Sequence, residues 1–494
     1  MNITELKGKM LRATKWATLA EVAAKLAVPI INMILARLLA PEAFGIVATI
    51  TMIISLADMF SDAGFQKYLV QYEFNNELEL YQNSNVAFWT NLAISLFIWG
   101  LIVLFCNPLA ELVGNPGLGV VIAVACVQLP LTSFSSIQMA LYRRNFDYRT
   151  LFLVRLVSVC IPFIVSIPLA LTGLGYWALI IGSICSQLSN SIILTIKSKW
   201  KPALFYRIAI LKKMLSFSIW SLIEAISIWV SVWADTLIIG TILSSYYLGL
   251  YKTSTTMVNG LMAIITSAVI PVLFSALSRL QNNNEQFNQL FFKVQRLLSV
   301  IIFPLGVGVY LYSDLATNIL LGSKWNEASQ IIGQWALTSA LMIVFGNLCS
   351  EVYRAKGRPK LSFSAQVLHI VVLIPVCIIS AHHGFWALVL ARSWIRLQFI
   401  MVHFILLKTK IGIPIGKIFT NTMQPAIAAI AMGLVGYFLR YLFDGVIWSL
   451  ISILICVCFY IGILFMFPSM RREIANASER FLKNKVLKFS AREV

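Results

Sequence analysis

The chain has 494 residues, of which 59% are hydrophobic and 12% charged, with a formal net charge of +19 and a mean hydropathy of +0.83. A soluble protein carries about 25% charged residues; this composition excludes one, and its long apolar runs, each near the ~20 residues of a membrane-crossing helix, exclude a barrel of short alternating strands. The basic excess would suggest nucleic acid in a soluble chain, but here it sits on short loops, and no nucleic-acid partner is expected.

The start, MNITELKGKMLRATKW, is basic and amphipathic. The apolar segment behind it is too long for a signal-peptide core, so the first helix is expected to be retained. About fourteen transmembrane helices follow, at 16–38, 43–65, 84–106, 118–141, 151–171, 174–196, 215–240, 247–277, 293–313, 328–352, 362–381, 384–407, 423–443 and 446–468. Basic connections come after the fourth span (YRRNFDYR), the sixth (KSKWKPALFYRIAILKK), the tenth (YRAKGRPK) and the twelfth (KTK), and the tail is basic too. The positive-inside rule puts all of these on the cytoplasmic side, N-in and C-in. No connection is long enough to form a ~50-residue soluble domain. An enzyme with a catalytic domain outside the membrane is therefore not expected, and no catalytic residues are assigned. The eight cysteines lie within or at the ends of apolar segments with no metal or disulfide spacing, so neither metal nor cofactor is expected.

The chain repeats itself. Leu11, Trp16, Leu39 and Gly45 align at one offset with Leu215, Trp220, Leu243 and Gly249. Further on, LYRRN (141–145) resembles VYRAK (352–356), and GYWAL (175–179) resembles GFWAL (384–388). Six spans per repeat is an even number, so both halves enter the membrane in the same sense, which gives parallel repeats. The expected organisation is a six-helix bundle over 1–205, its repeat over 206–412, two additional helices over 413–470, and a basic cytoplasmic tail over 471–494. Two such bundles rocking about a shared cavity make an alternating-access transporter.

Charges inside the spans are expensive in lipid and face protein or water. Span one carries Glu21 and Lys25, span two Asp58 and Asp62, and span five Arg155. Span seven carries Glu224 and Asp235, span eight Lys252, span eleven His369, and span twelve Arg392 and Arg396. At ~1.5 Å per residue, Lys25 and Arg396 lie near the midplane. Arg155 lies close enough to the cytoplasmic side to snorkel. Asp58 and Asp62, one turn apart, sit where carboxylates oppose the helix dipole. Lys25, Lys252, Arg392 and Arg396 are the candidate cations lining a cavity within the membrane. Glu21, Asp58, Asp62, Glu224 and Asp235 are the candidates for ion coupling or gating.

APEAFG (40–45), SLADMFSDAG (55–64), LGSKWNEA (321–328) and RAKGRPKLSF (354–363), in this order across the chain, resemble Wzx-type flippases. These form the polysaccharide-transport branch of the MOP exporter superfamily, and the colanic-acid-type subgroup is the nearest in flavour. The resemblance implies an all-α, MATE-like alternating-access fold in the bacterial inner membrane. It implies translocation of undecaprenyl-pyrophosphate-linked oligosaccharide units for O-antigen, capsule or exopolysaccharide, with H⁺ or Na⁺ coupling; Lys25, Lys252, Arg392 and Arg396 would then bind the pyrophosphate or its sugar, because a dry cavity holding that anion needs cations. It further implies membrane lipids, a polysaccharide polymerase and a chain-length regulator as partners. The competing readings are a multidrug cation antiporter of the same superfamily, which would favour an acidic cavity, and a flippase for the peptidoglycan lipid precursor, which would carry arginine where span two has aspartates.

Overall fold

A computed structural model describes residues 29–468, together with 16, 27, 470 and 471. The described residues are helical almost throughout. Helix α1 (Pro29–Leu38) leads into α2 (Pro41–Asp62), short α3 (Phe65–Gln71), α4 (Glu77–Leu104), short α5 (Cys106–Leu112), α6 (Gly119–Ala125) and α7 (Gln128–Arg144). Next come α8 (Tyr148–Ile164), α9 (Ser166–Leu171), α10 (Tyr176–Lys197), α11 (Ile208–Ile242), α12 (Ser245–Arg279) and α13 (Asn284–Leu311). The rest comprises α14 (Ser313–Leu320), α15 (Ala328–Met342), α16 (Leu348–Ala355), α17 (Pro359–His382), α18 (Phe385–Trp394), α19 (Arg396–Leu406), α20 (Ile415–Leu442) and α21 (Val446–Met466).

Among the described residues, twelve helices are long and apolar enough to cross a membrane, or up to thirteen when the bent halves of α12 count as one span. The bend, 42° between Ser267 and Val269, has a local cause. Pro271 has no N–H for the Ser267 carbonyl four residues earlier. The predicted count of fourteen depends on span one, of which the described residues hold only the shorter helix Pro29–Leu38. Helix starts follow local capping chemistry: the side chains of Asn76, Asp147 and Asn283 accept from the backbone N–H groups of Glu79, Thr150 and Gln286, satisfying donors the first turn leaves open.

Two compact units are formed. The first comprises 1–264, 317–331 and 366–395, the second 265–316, 332–365 and 396–494. Within the first, Ile46, Ile50, Ile102, Ile122 and Leu129 build one core. Phe65, Tyr68, Phe88 and Ile137 build another around α3. In that core, burial pushes the Tyr68 phenol up to about 12, since desolvation disfavours its charged form.

Within the second unit, α20 and α21 pack onto α13 through directed polar contacts. Asn421 donates to the Phe292 carbonyl at 2.7 Å and accepts from Arg296 at 2.9 Å. Tyr312 donates to Ser452 at 2.9 Å, and Tyr460 to the Val300 carbonyl at 2.8 Å. In lipid the apolar driving force between helices is absent, so small residues and hydrogen bonds hold such helices together.

Candidate functional site

The first unit gathers three of the charged residues singled out from sequence. Asp235, on α11, is 4% exposed. One of its carboxylate oxygens accepts from the Arg392 Nε of α18 at 3.1 Å and from the Tyr251 hydroxyl of α12 at 2.8 Å. The other accepts from the Thr236 backbone N–H at 2.7 Å, with the Lys252 ammonium 3.9 Å away. Lys252 also donates to the Val232 carbonyl at 3.4 Å and lies 4.3 Å over the Trp233 ring. One carboxylate facing two cations leaves a surplus of one positive charge. A carboxylate this deep is tolerable because its lone pairs are filled and its charge is more than compensated.

The two cations are not equivalent. Arg392 is 9% exposed and makes the short directed contact. Lys252 holds the longer one, and its side chain is 19% exposed. An ammonium is a point charge on a flexible stem, so Lys252 can leave Asp235 while Arg392 stays. Tyr251 and Trp233 were not foreseen in the sequence. Their signal was there only as adjacency: each flanks a flagged charge or lies within two residues of one.

Arg396 belongs to the second unit. Its guanidinium lies 3.4 Å from the centroid of the Trp335 ring and donates to Ser339 Oγ at 2.6 Å. The sequence put Arg392 and Arg396 one turn apart on one face. Ile395, between α18 and α19, keeps right-handed helical dihedrals, and Phe385–Ile411 forms one span; the two guanidinium groups have different hydrogen-bond partners. Trp335, 4% exposed, supplies a cation–π platform, which gains strength where water is excluded.

Asp62 ends α2. Ala63 and Gly64 follow in the left-handed region, with φ of 42° and 83°, and turn the chain into α3. There the Asp62 carboxylate accepts from the Gln66 backbone N–H at 3.3 Å. A carboxylate unfavourable at the C-terminus of one helix thus serves the N-terminus of the next. Asp58, one turn earlier, has a different environment. Among the described residues, no hydrogen bond or ion pair to its carboxylate is formed. Ser55, on the same helix, accepts from the Trp229 indole of α11 at 2.9 Å. Glu21 and Lys25 lie outside the described residues, as does the side chain of Glu224, whose backbone belongs to α11.

Two motifs turn out to bind helix ends. In LGSKWNEA, the buried Trp325 indole donates to the Ala36 carbonyl at 2.7 Å. In RAKGRPK, the Lys356 ammonium donates to the Gln281 carbonyl and to Asn284 Oδ1, both at 2.7 Å. Desolvation, with Arg358 nearby, holds that ammonium below the usual lysine range. Arg358 donates to the Lys410 carbonyl at 2.5 Å. Each cation faces the carbonyl-rich end of a helix or turn, where the dipole favours it.

Residues 34–330 match the family described as "Polysaccharide biosynthesis protein". The lipopolysaccharide biosynthesis protein WzxC of Escherichia coli K12 is 22% identical over 450 residues, covering 89% of each chain. Among solved structures, the lipid II flippase MurJ in an inward closed conformation superposes with a TM-score of 0.75 at 16% identity, covering 91% of this chain and 98% of MurJ. An inward-facing multidrug resistance MATE transporter of the MOP superfamily superposes with a TM-score of 0.57 at 14% identity, covering 78% of this chain and 96% of the other. The all-helical fold is therefore that of MurJ and the MATE transporters.

Proposed function

The chain belongs to the polysaccharide biosynthesis protein family, and from that premise we propose that it is a flippase for lipid-linked oligosaccharide units of a surface polysaccharide. The observation that carries this reading is the intramembrane cluster of Lys252, Asp235 and Arg392, with its net positive charge. An anionic pyrophosphate head needs such a cation in a dry site, and a cationic drug would be repelled by it. Lys252 offers the mobile ammonium, and Trp233 beside it an apolar ring face. Arg396 on Trp335 offers a second cation, and Lys25 a third by its place in the sequence.

Several finer points belong to the same proposal. The carried lipid is undecaprenyl pyrophosphate, and the membrane is the bacterial inner membrane, with both termini cytoplasmic. The two six-helix repeats are the moving bodies. Asp58, with Glu21 and Glu224, takes up the coupling H⁺ or Na⁺, and Asp62 holds the turn below it. A polymerase and a chain-length regulator receive the product. No catalytic role is proposed.

The test is translocation in proteoliposomes. Undecaprenyl-pyrophosphate oligosaccharide is compared with a cationic dye, each with and without a pH gradient. Selective movement of the lipid-linked sugar is the expected result. Movement of the dye alone would move the chain to the drug-exporter side of the superfamily.

A further inference from the structure

Residues 198–207, between α10 and α11, form no helix of their own, yet they are tied down. Pro202 lacks an N–H and disfavours helix at Lys201 before it. Ala203, the next residue, has both backbone groups bonded by α4. Its N–H donates to Asn85 Oδ1 at 2.7 Å, and its carbonyl accepts from the Trp89 indole at 2.8 Å. The Thr90 and Tyr206 hydroxyls share a hydrogen bond at 3.1 Å. Trp200 meets Phe88 edge-on, with ring centroids 5.6 Å apart, and together with Phe205 packs on the core around α3. The segment is a strap stapled to α4.

The staples leave the residues between them facing outwards. Leu204 is 95% exposed and Ile208 63%. Cations alternate with these apolar chains: Lys197, Lys199, Arg207 and Lys212 are all exposed. Among the described residues, none of the four makes an ion pair, and residues 196–215 contain no acid. The two other lysines are engaged. Lys201 donates to the Thr195 and Ile196 carbonyls at the end of α10. Lys213 lies 4.5 Å over the Tyr72 ring and 3.9 Å from Glu79, so that carboxylate of α4 already has its cation. Against water, the exposed apolar chains would be a liability. Their depth says what covers them. Helix α10 has 22 residues, about 33 Å at 1.5 Å each, against a ~30 Å hydrocarbon core. Its last turn, and the strap that leaves it, therefore lie at headgroup level.

We propose that this strap is an anchor for anionic phospholipid. Leu204 and Ile208 enter the acyl boundary, and Lys197, Lys199, Arg207 and Lys212 hold phosphodiester head groups. Apolar residues and cations in alternation suit a surface where hydrocarbon meets anions. The lysine stems lie along the acyl boundary while their ammonium groups stay with the phosphates. A soluble acidic partner would answer the cations and leave Leu204 in water. The occupant is the bulk phospholipid of that leaflet and not the cargo. The strap runs directly into α11, the helix that carries Asp235, so the anchored lipid sets where that helix leaves the membrane.

Leu204→Cys carrying a bimane dye supplies the probe, in the full chain reconstituted in phosphatidylcholine vesicles, with labelling of the chain's own cysteines subtracted. The quencher is a nitroxide on the lipid head group, either of phosphatidylglycerol or of phosphatidylcholine at equal mole fraction. Phosphatidylglycerol is expected to quench more strongly by about threefold or more. Changing Lys197, Lys199, Arg207 and Lys212 together to Gln is expected to bring the ratio to one. Salt at ~1 M, where the Debye length is about 3 Å, is expected to do the same, and this arm decides even if the fourfold variant folds poorly. Leu112→Cys, at a site 68% exposed past the far end of α4, is expected to show no preference. Equal quenching of Leu204→Cys by the two lipids overturns the inference, as does a preference that survives both the Gln changes and salt. Quenching by neither lipid, with the emission of a dye in water, gives the surface to a soluble partner and overturns it too. No lipid-linked sugar enters this assay, so its outcome is independent of the flippase reading.

Discussion

Asp235→Ala takes the carboxylate away from Arg392 and Lys252 and leaves two cations facing each other in a site 9% exposed at Arg392. Removing one partner of a buried ion pair costs about 3–5 kcal/mol. Tyr251, 1% exposed, loses the acceptor of its 2.8 Å hydrogen bond, a further cost of about 1–3 kcal/mol. The expected destabilisation is thus about 4–8 kcal/mol. The assay is reversible unfolding in mixed micelles of rising SDS content. Asp314→Ala is the comparison, because the Asp314–Arg440 pair, at 2.7 Å, has side chains 60% and 38% exposed and should shift the midpoint little. Adding Arg392→Met to Asp235→Ala removes one of the stranded cations, and the double variant should recover part of the loss. If Asp235→Ala proves as harmless as Asp314→Ala, the cluster is hydrated and the argument from a dry site fails.

Lys252→Ala should leave stability close to that of the parent, because Arg392 still pairs with Asp235, yet lower transport of the lipid-linked sugar at least tenfold. Transport at the parent rate would remove Lys252 from the headgroup site. Arg396→Lys should transport poorly, since a lysine cannot both lie flat on Trp335 and bond Ser339; full activity in the proteoliposome assay would make the Arg396 stack dispensable. Asp58→Asn should abolish the response of transport to an imposed pH gradient, while Asp62→Asn, which keeps an acceptor for the Gln66 N–H, should preserve it. A gradient response retained by Asp58→Asn would return coupling to Glu21 or Glu224, whose Gln variants are tested in the same way.

The two carboxylates of SLADMFSDAG have different environments. Their spacing was legible, and so was their conflict with the dipole of α2. Asp62 serving the start of α3 was not legible, because it required knowing that Ala63 and Gly64 reverse the chain within two residues. The basic motif RAKGRPK read as a cytoplasmic loop. Its lysine and arginine binding the carbonyl ends of α12 and of the turn after α19 could not be read from composition. For the candidate site, Asp235, Lys252 and Arg392 were each found as misplaced charges. Their union was not, since Asp235 and Arg392 are 157 positions apart.

The sequence by itself determined that this chain is a helical membrane protein and which charged side chains fall within its apolar runs. These are local properties, set by the length of an apolar run against a ~30 Å bilayer core and by the cost of charge within it. Only the tertiary structure decided that Asp235 joins two cations rather than one, and that Arg396 rests on Trp335. The reason is physical: partner choice depends on distances between helices far apart in the chain, and every apolar helix face looks alike until another helix is laid against it.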